Sequence, residues 1–387
     1  MRRSSITRTR VFSFAVPACM DGMINLAQVS LPLVAIRFGA DPWFLGMLGW
    51  TAQTVRLPFT IGSGMLSDKI GRTRVIIPAS VLGVVACLGF AASGTKYQLL
   101  LCYILLSASV GTFYPALQAF IGDHSPKGDL RKNLSWFNAG WTIGGAICGL
   151  VSGYLLVVWR PLPFVSAAVL AVIPILLIIA WSRSRIRTHV PSANEAPSVP
   201  SDGPGPLLFI ARFGHFLGFF GFAMMRMQFP KLATEMRMSE GTIGLLVGMM
   251  LVGQALGILM ANAGPWWRGK LWPQILAQAM LCVSGAMVFA VHSPTLFGLA
   301  FLIQGSGLGI AYTGALYYGL QARRKMGKNT GIHESLVAAG NISGSFAGGA
   351  IAQFVSLRAP YLTYSGLTFL ALVVSLVYWV SARREMR

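Results

Sequence analysis

Charge is what this sequence has least of. Only 11% of its 387 residues are Asp, Glu, Lys or Arg, where a soluble chain carries about 25%. So little polar surface cannot cover a water-exposed globule, which excludes a soluble enzyme and a disordered chain. Acids are scarcer still, 11 against 31 Lys and Arg, for a net charge of +20. Cysteine is sparse and odd in number, and Cys19, Cys87, Cys102, Cys148 and Cys282 all fall in apolar segments. They offer neither a disulfide framework nor a metal-ligand spacing, so no metal and no cofactor are expected. The five histidines are scattered, the acids are not clustered, and no G-x4-G-K-[ST] phosphate loop occurs. An enzyme is not expected, nor a nucleotide-driven pump.

What the chain has is apolar length. It is 55% hydrophobic with a mean hydropathy of +0.64, and 44 glycines suit closely packed membrane helices. A helical span needs about 20 mostly apolar residues. Such stretches lie at 11–36, 44–65, 75–93, 98–121, 134–158 and 163–181, then at 207–229, 242–263, 275–291, 296–320, 333–355 and 362–380. The fold class expected is therefore an all-α membrane protein of twelve transmembrane helices, arranged as two six-helix bundles. Residues 1–181 form the N-terminal bundle, 182–206 a Ser/Pro/Gly-rich cytoplasmic linker, and 207–387 the C-terminal bundle. The basic start followed by an apolar stretch has the outline of a signal peptide. However, the stretch is long, holds Asp21 and Pro32 and lacks a small-x-small cleavage site, so it reads as a retained first span.

The basic residues give an orientation. The termini and the loops on their side hold 22 Lys and Arg, the opposite loops six, and Arg56, Arg212 and Arg226 fall inside spans. By the positive-inside rule both termini are cytoplasmic, in a plasma membrane of the bacterial inner-membrane kind. Trp43, Trp159, Trp181, Trp266, Trp267 and Trp379 stand at span ends as interface anchors. The net charge is thus mostly topology and not a nucleic-acid footprint. The partners expected are the lipid bilayer and a small-molecule substrate, with the monomer as the functional unit.

The halves repeat. Pro32, Ala35 and Gly46 recur in the same spacing as Pro230, Ala233 and Gly244. Ser135, Ala139, Gly140, Gly144 and Gly149 recur 200 residues later as Ser335, Ala339, Gly340, Gly344 and Gly349. Parallel repeats about a central linker are a common construction of secondary transporters.

The most specific string follows span 2: Gly64-Met65-Leu66-Ser67-Asp68-Lys69-Ile70-Gly71-Arg72-Thr73-Arg74. Gly64 and Gly71 permit a tight helix–turn–helix with close backbone approach, and Asp68 is an anion among Lys69, Arg72 and Arg74. Here the sequence resembles the major facilitator superfamily of secondary transporters, whose signature lies between spans 2 and 3, with Thr73 departing from a usual basic position. The resemblance implies the two-bundle fold, and it implies that Asp68 faces the start of span 11 near Asn329 to Glu334. It also implies that Arg72 pairs with Asp123 at the end of span 4. The second half offers Gly264 to Lys270 in the equivalent place, without an acid. Span 4 lacks the arginine that the family often carries there, and the Gly-rich span 5 lacks the Gly-Pro pair of many exporters.

Ionisable groups inside spans are functional candidates because they are costly in lipid. Asp21 and Arg56 lie at similar depths, about 15 and 14 Å from the cytoplasmic ends of spans 1 and 2. They either pair or face one aqueous cavity. Asn25 and Gln28 extend a polar stripe beyond Asp21. His215 lies about 12 Å into span 7 and either packs or titrates. Arg226 either snorkels or lines the mouth of the cavity. The substrate or proton-coupling candidates are thus Asp21, Asn25, Gln28, Arg56, His215 and Arg226, with Gly64, Asp68, Lys69, Gly71, Arg72 and Asp123 as a cytoplasmic gating motif. The function expected is secondary active transport of a small solute by alternating access, driven by an ion gradient. A single acid on span 1 amid apolar, aromatic and Met-rich surroundings favours proton-linked efflux of an amphipathic compound. The alternative is uptake of a small organic anion or metabolite, since membrane arginines outnumber that acid.

Overall fold

The computed structural model describes residues 2–125, 129–182, 205–321 and 326–385. Most of the expected linker, 182–206, lies outside the described residues. The chain is all-helical. The helices are α1 (Arg2–Arg37), α2 (Pro42–Ile70), α3 (Arg72–Ala92), α4 (Lys96–His124), α5 (Leu130–Val158) and α6 (Leu162–Ser182), then α7 (Pro206–Glu235), α8 (Glu240–Asn262), α9 (Trp272–Ala290), α10 (Pro294–Gln321), α11 (Met326–Phe354) and α12 (Ala359–Glu385). Ten of them are long and apolar enough to cross a membrane; α2 and α11 are not among these ten. The twelve helices expected from the sequence are present, and α2 and α11 have the least apolar stretches of them. Both carry polar or small residues where the others carry Leu, Val and Ile: Arg56, Asp68 and Lys69 in α2, and a run of Gly, Ser and Asn in α11.

Local chemistry sets the breaks between helices. Thr95 and Ser239 cap α4 and α8 by accepting from the backbone N–H of Gln98 and Thr242, the usual role of a hydroxyl at a helix start. Asp41 accepts from the N–H of Phe44 at 2.7 Å. A single residue, Gly71, separates α2 from α3. Its φ of +97° is one that L side chains avoid.

Two compact units emerge, the first of Met1–Gly39 and Thr51–Ala196, the second of Ala40–Trp50 and Pro197–Arg387. Within the first, α1 packs chiefly on α5 and α6, and α3 on α4 and α6. Within the second, α7 packs on α11, α10 on α8 and α9, and α12 on α9. Burial inverts the pattern of a soluble protein. The most apolar stretch of α1 is 83% enclosed and that of α12 only 22%, so α12 turns Phe369, Leu370, Val377 and Val380 outward. That face is what a lipid solvent demands.

Glycines bring the central helices of each unit together. A Cβ on Gly140 would stand 2.3 Å from the Phe14 carbonyl oxygen, and one on Gly144 2.1 Å from that of Ala18. In the second unit, a Cβ on Gly340 would stand 2.7 Å from the Phe216 carbonyl oxygen, and one on Gly344 2.1 Å from that of Phe220. The repeated glycines of α5 and α11 thus seat their helices on α1 and α7 in matching register. This register pairs Ala18 with Phe220, about one turn away from the register that the Pro32 and Pro230 match gives.

Candidate functional site

Polar groups inside an apolar bundle must find partners within the chain, and the first unit gathers several around Asp21. The hydroxyl of Tyr114, on α4, donates to the Asp21 carboxylate. Tyr114 itself is held edge-on by Phe113 and Phe137, with ring centroids 5.4 and 6.1 Å away. Arg56, on α2, is near enough for its charge to attract Asp21 and the Tyr114 oxygen. Among the described residues, however, no ion pair joins Asp21 to Arg56. Of the two readings left open by sequence, direct pairing is not the one found. Asp21, Arg56 and Tyr114 are each partly exposed.

Asn25 and Gln28 continue along α1, 4% and 6% exposed. The Asn25 amide donates to the Asp21 backbone carbonyl at 3.0 Å and lies against Gly145 of α5, where a Cβ would meet it at 2.8 Å. The glycine therefore makes room for the amide. Residue type and spacing on α1 were legible in sequence, but Tyr114 was not singled out. Depth could have found it, because Tyr114 lies about 15 Å from the inner end of its helix, level with Asp21.

His215 and Arg226 belong to the second unit, so the six candidates do not form one cluster within either unit. Arg226 is buried at 7% exposure, with its guanidinium 4.8 Å from the centroid of the Phe222 ring, a cation–π geometry. Three turns separate it from His215, about 16 Å along α7. His215 is fully buried and lies against Phe219, Tyr312 and His333. One turn earlier, Arg212 donates to the Asn329 side-chain oxygen at 2.8 Å.

The string between α2 and α3 is built around Arg72. Its Nε donates to Asp123 at 3.1 Å, as the family resemblance implies. Its Nη1 bonds to Asp68 and reaches the Ser67 hydroxyl at 2.7 Å. Lys69 is exposed. Gly64 departs from the expectation: it lies inside α2, and a Cβ there would meet nothing within 4 Å. Among the described residues, no neighbour approaches closely enough to require a glycine. Gly71 has equally open surroundings, but its positive φ accounts for it.

These features agree with what the chain is similar to. The family model for the Major Facilitator Superfamily matches residues 12–322 and 211–387. The cis,cis-muconate transport protein of Acinetobacter baylyi is 26% identical over 199 residues, 48% of this chain and 47% of that one. A probable 4-methylmuconolactone transporter of Cupriavidus pinatubonensis is 30% identical over 157 residues, 37% of this chain and 35% of that one. The chain thus spans about half or less of the curated relatives it matches. Among solved structures, a bacterial homolog of the human lysosomal transporter Spinster has a TM-score of 0.69 at 16% identity, over 99% of this chain and 97% of that one. The nucleoside transporter NupG has a TM-score of 0.72 at 14% identity, over 97% of this chain and 99% of that one. At these identities the two structures bear on the fold alone.

Proposed function

Because the chain belongs to the Major Facilitator Superfamily, a group of small-solute carriers and not enzymes, we propose that it moves a small organic anion across the membrane by alternating access, coupled to the proton gradient. The observation that carries this reading is the balance of charge deep in the helices. Arg56, Arg212 and Arg226 stand there against the one carboxylate of Asp21. Ionisable groups inside membrane helices are costly and commonly mark substrate pathways, and an excess of positive charge along such a pathway suits an anion. The named relatives favour the same substrate class, since cis,cis-muconate is a dicarboxylate. They lend no support to export of an amphipathic compound, the first expectation from sequence.

In this reading Arg56 of the first unit and Arg226 of the second each supply positive charge that favours an anion. Asp21 takes and releases the coupled proton, and Tyr114 holds its carboxylate in place. Asn25 and Gln28 supply neutral polar lining. The Arg72–Asp68–Asp123 cluster steadies the inner turn during the cycle. The excess of basic loop residues supports cytoplasmic termini, in a plasma membrane of the bacterial inner-membrane kind. The carrier works as a monomer.

The test is uptake of radiolabelled cis,cis-muconate into proteoliposomes under an imposed pH gradient. Gradient-driven uptake is expected, with loss in Arg226→Ala. In Asp21→Asn, net uptake is expected to lose its pH dependence while exchange across the membrane persists. Equal uptake by protein-free liposomes, or full gradient-driven uptake in both variants, would overturn the reading.

A further inference from the structure

The buried histidines of the second unit form an arrangement that the carrier reading above does not use. His215 on α7 and His333 on α11 stack face to face, with ring centroids 4.3 Å apart and planes inclined by 14°. They are 0% and 3% exposed. Among the described residues neither ring nitrogen of either residue makes a hydrogen bond; the His333 backbone comes near His215 without closing one. A neutral imidazole carries one N–H donor and one acceptor nitrogen, so two donors and two acceptors are left unmet. Buried polar groups are nearly always paired, and a set of orphans calls for an explanation.

The surroundings narrow that explanation. Phe219 of α7 meets His215 edge-on at 5.1 Å, and Tyr312 of α10 lies 4.9 Å from His333 and 5.6 Å from His215. From α9 comes the neutral Gln278, placed against Gly214. Among the described residues, two charged groups bear on the cluster. Arg212, tied to Asn329, repels positive charge on His333, and Glu334 of α11 acts on Tyr312. An imidazole N–H lies in the plane of its ring, so stacked rings cannot pass a hydrogen bond from one to the other. Two charged rings at this separation in an apolar site would repel strongly. The face-to-face stack therefore suits the uncharged pair, and a charged pair requires the rings to turn edge to edge or to meet water.

We propose that His215 and His333 together form a proton-binding site of the second unit, proton-free when stacked and singly protonated when α7 and α11 loosen. The proton arrives from water and rests on a nitrogen of one ring. The other ring's free nitrogen accepts a hydrogen bond from it, which satisfies atoms that the stack leaves orphaned. The site is separate from Asp21 and independent of which solute is carried.

The test uses the full chain in lipid nanodiscs with 15N-labelled histidine. His215→Gln and His333→Gln assign the ring signals, and exposed His292 serves as an internal reference measured in the same titration. The expected result is that the His215 and His333 signals change together in one coupled transition, apart from that of His292. In His333→Gln the His215 midpoint should fall by about one pH unit, because the ring nitrogen that accepts a hydrogen bond from its proton is removed. Amide hydrogen exchange, corrected for its intrinsic pH dependence, should quicken in α7 and α11 on acidification, and His215→Gln/His333→Gln should lose that response. If either wild-type ring titrates alongside His292, the proposal fails even should the variants not fold. An unmoved His215 midpoint in His333→Gln, or an acid response of exchange that survives in the double variant, would also overturn it. No solute enters this experiment, so failure of the organic-anion reading would leave its outcome unchanged.

Discussion

The two units are built on one plan and carry different chemistry on it. Gly140 and Gly144 of α5 seat on Phe14 and Ala18 of α1, as Gly340 and Gly344 of α11 seat on Phe216 and Phe220 of α7. Gly111 packs against the Arg56 carbonyl as Gly309 packs against that of Gln254, and one turn beyond each glycine stands a tyrosine, Tyr114 or Tyr312. At the inner ends Arg10 reaches Asp129 as Arg212 reaches Asn329. Against this common frame the ionisable groups diverge. The register that matches Ala18 with Phe220 puts Ala223 where Asp21 is, and it puts Ser13 and Asn133 where His215 and His333 are. The backbone approaches are shared because packing fixes them. The titratable groups differ because each unit needs only its own partners for them, and a tyrosine serves an acid in one unit and flanks two imidazoles in the other.

The sharpest way to break the comparison is to attack what the units share. Gly144→Val and Gly344→Val each force a side chain onto a carbonyl oxygen that already lies 2.1 Å from the position of a Cβ. Overpacking against rigid backbone should cost about 3 kcal/mol or more in either unit. Both variants should lose most of their monodisperse, folded yield in size-exclusion chromatography. A variant that is harmless on one side only would show that the two seams are not equivalent.

The next prediction attacks what they do not share. Asp21→Ala copies the second unit's Ala223 into the first. The protein should fold, since a neutral side chain is easier to bury than an acid. Proton-driven uptake of cis,cis-muconate should fall by about a hundredfold, the scale on which loss of a proton-transferring group is felt. Retention of driven uptake would move the coupling site elsewhere.

A third prediction returns to shared geometry at smaller amplitude. Gly71 and Gly269 both lie between the second and third helices of their halves, with φ of +97° and +71°, and neither has an atom within 4 Å of a Cβ position. Alanine there meets conformational strain and no clash. Gly71→Ala and Gly269→Ala should each destabilise by about 1–2 kcal/mol, read as a lowered thermal midpoint of the detergent-solubilised protein.

Much of this plan was legible in the sequence, and the physical reason is range. Helices and their breaks depend on neighbours along the chain, so the twelve segments, the linker composition and the glycine repeat could be read directly. The Arg72–Asp123 pair came through a family resemblance, because nothing local in either residue says that α3 and α4 meet there. Tyr114 escaped notice because its importance comes from lying level with Asp21 on another helix. The role of His333 was not legible, since its stacking on His215 depends on the register of α11 against α7. Gly64 misled for the opposite reason. Its place in a motif implied a close neighbour, and in the fold its surroundings are open.

The finest test of the comparison exchanges a single atom type at the inner tie. Asp129→Asn turns the Arg10–Asp129 ion pair, 3.3 Å long with side chains 35% and 16% exposed, into a likeness of the neutral Arg212–Asn329 bond at 2.8 Å. Partly exposed ion pairs contribute little, because water screens the charges and two long side chains must be held in place. The loss should stay below about 1 kcal/mol, close to the resolution of a thermal melt. Salt supplies the missing contrast. Raising ionic strength screens a charged tie and leaves a neutral one nearly unchanged, so the gap between wild type and Asp129→Asn should narrow as salt is added. If the gap instead holds constant, the Arg10 tie works through hydrogen-bond geometry alone, and the two units would then be fastened at their inner ends by the same physics despite their different residues.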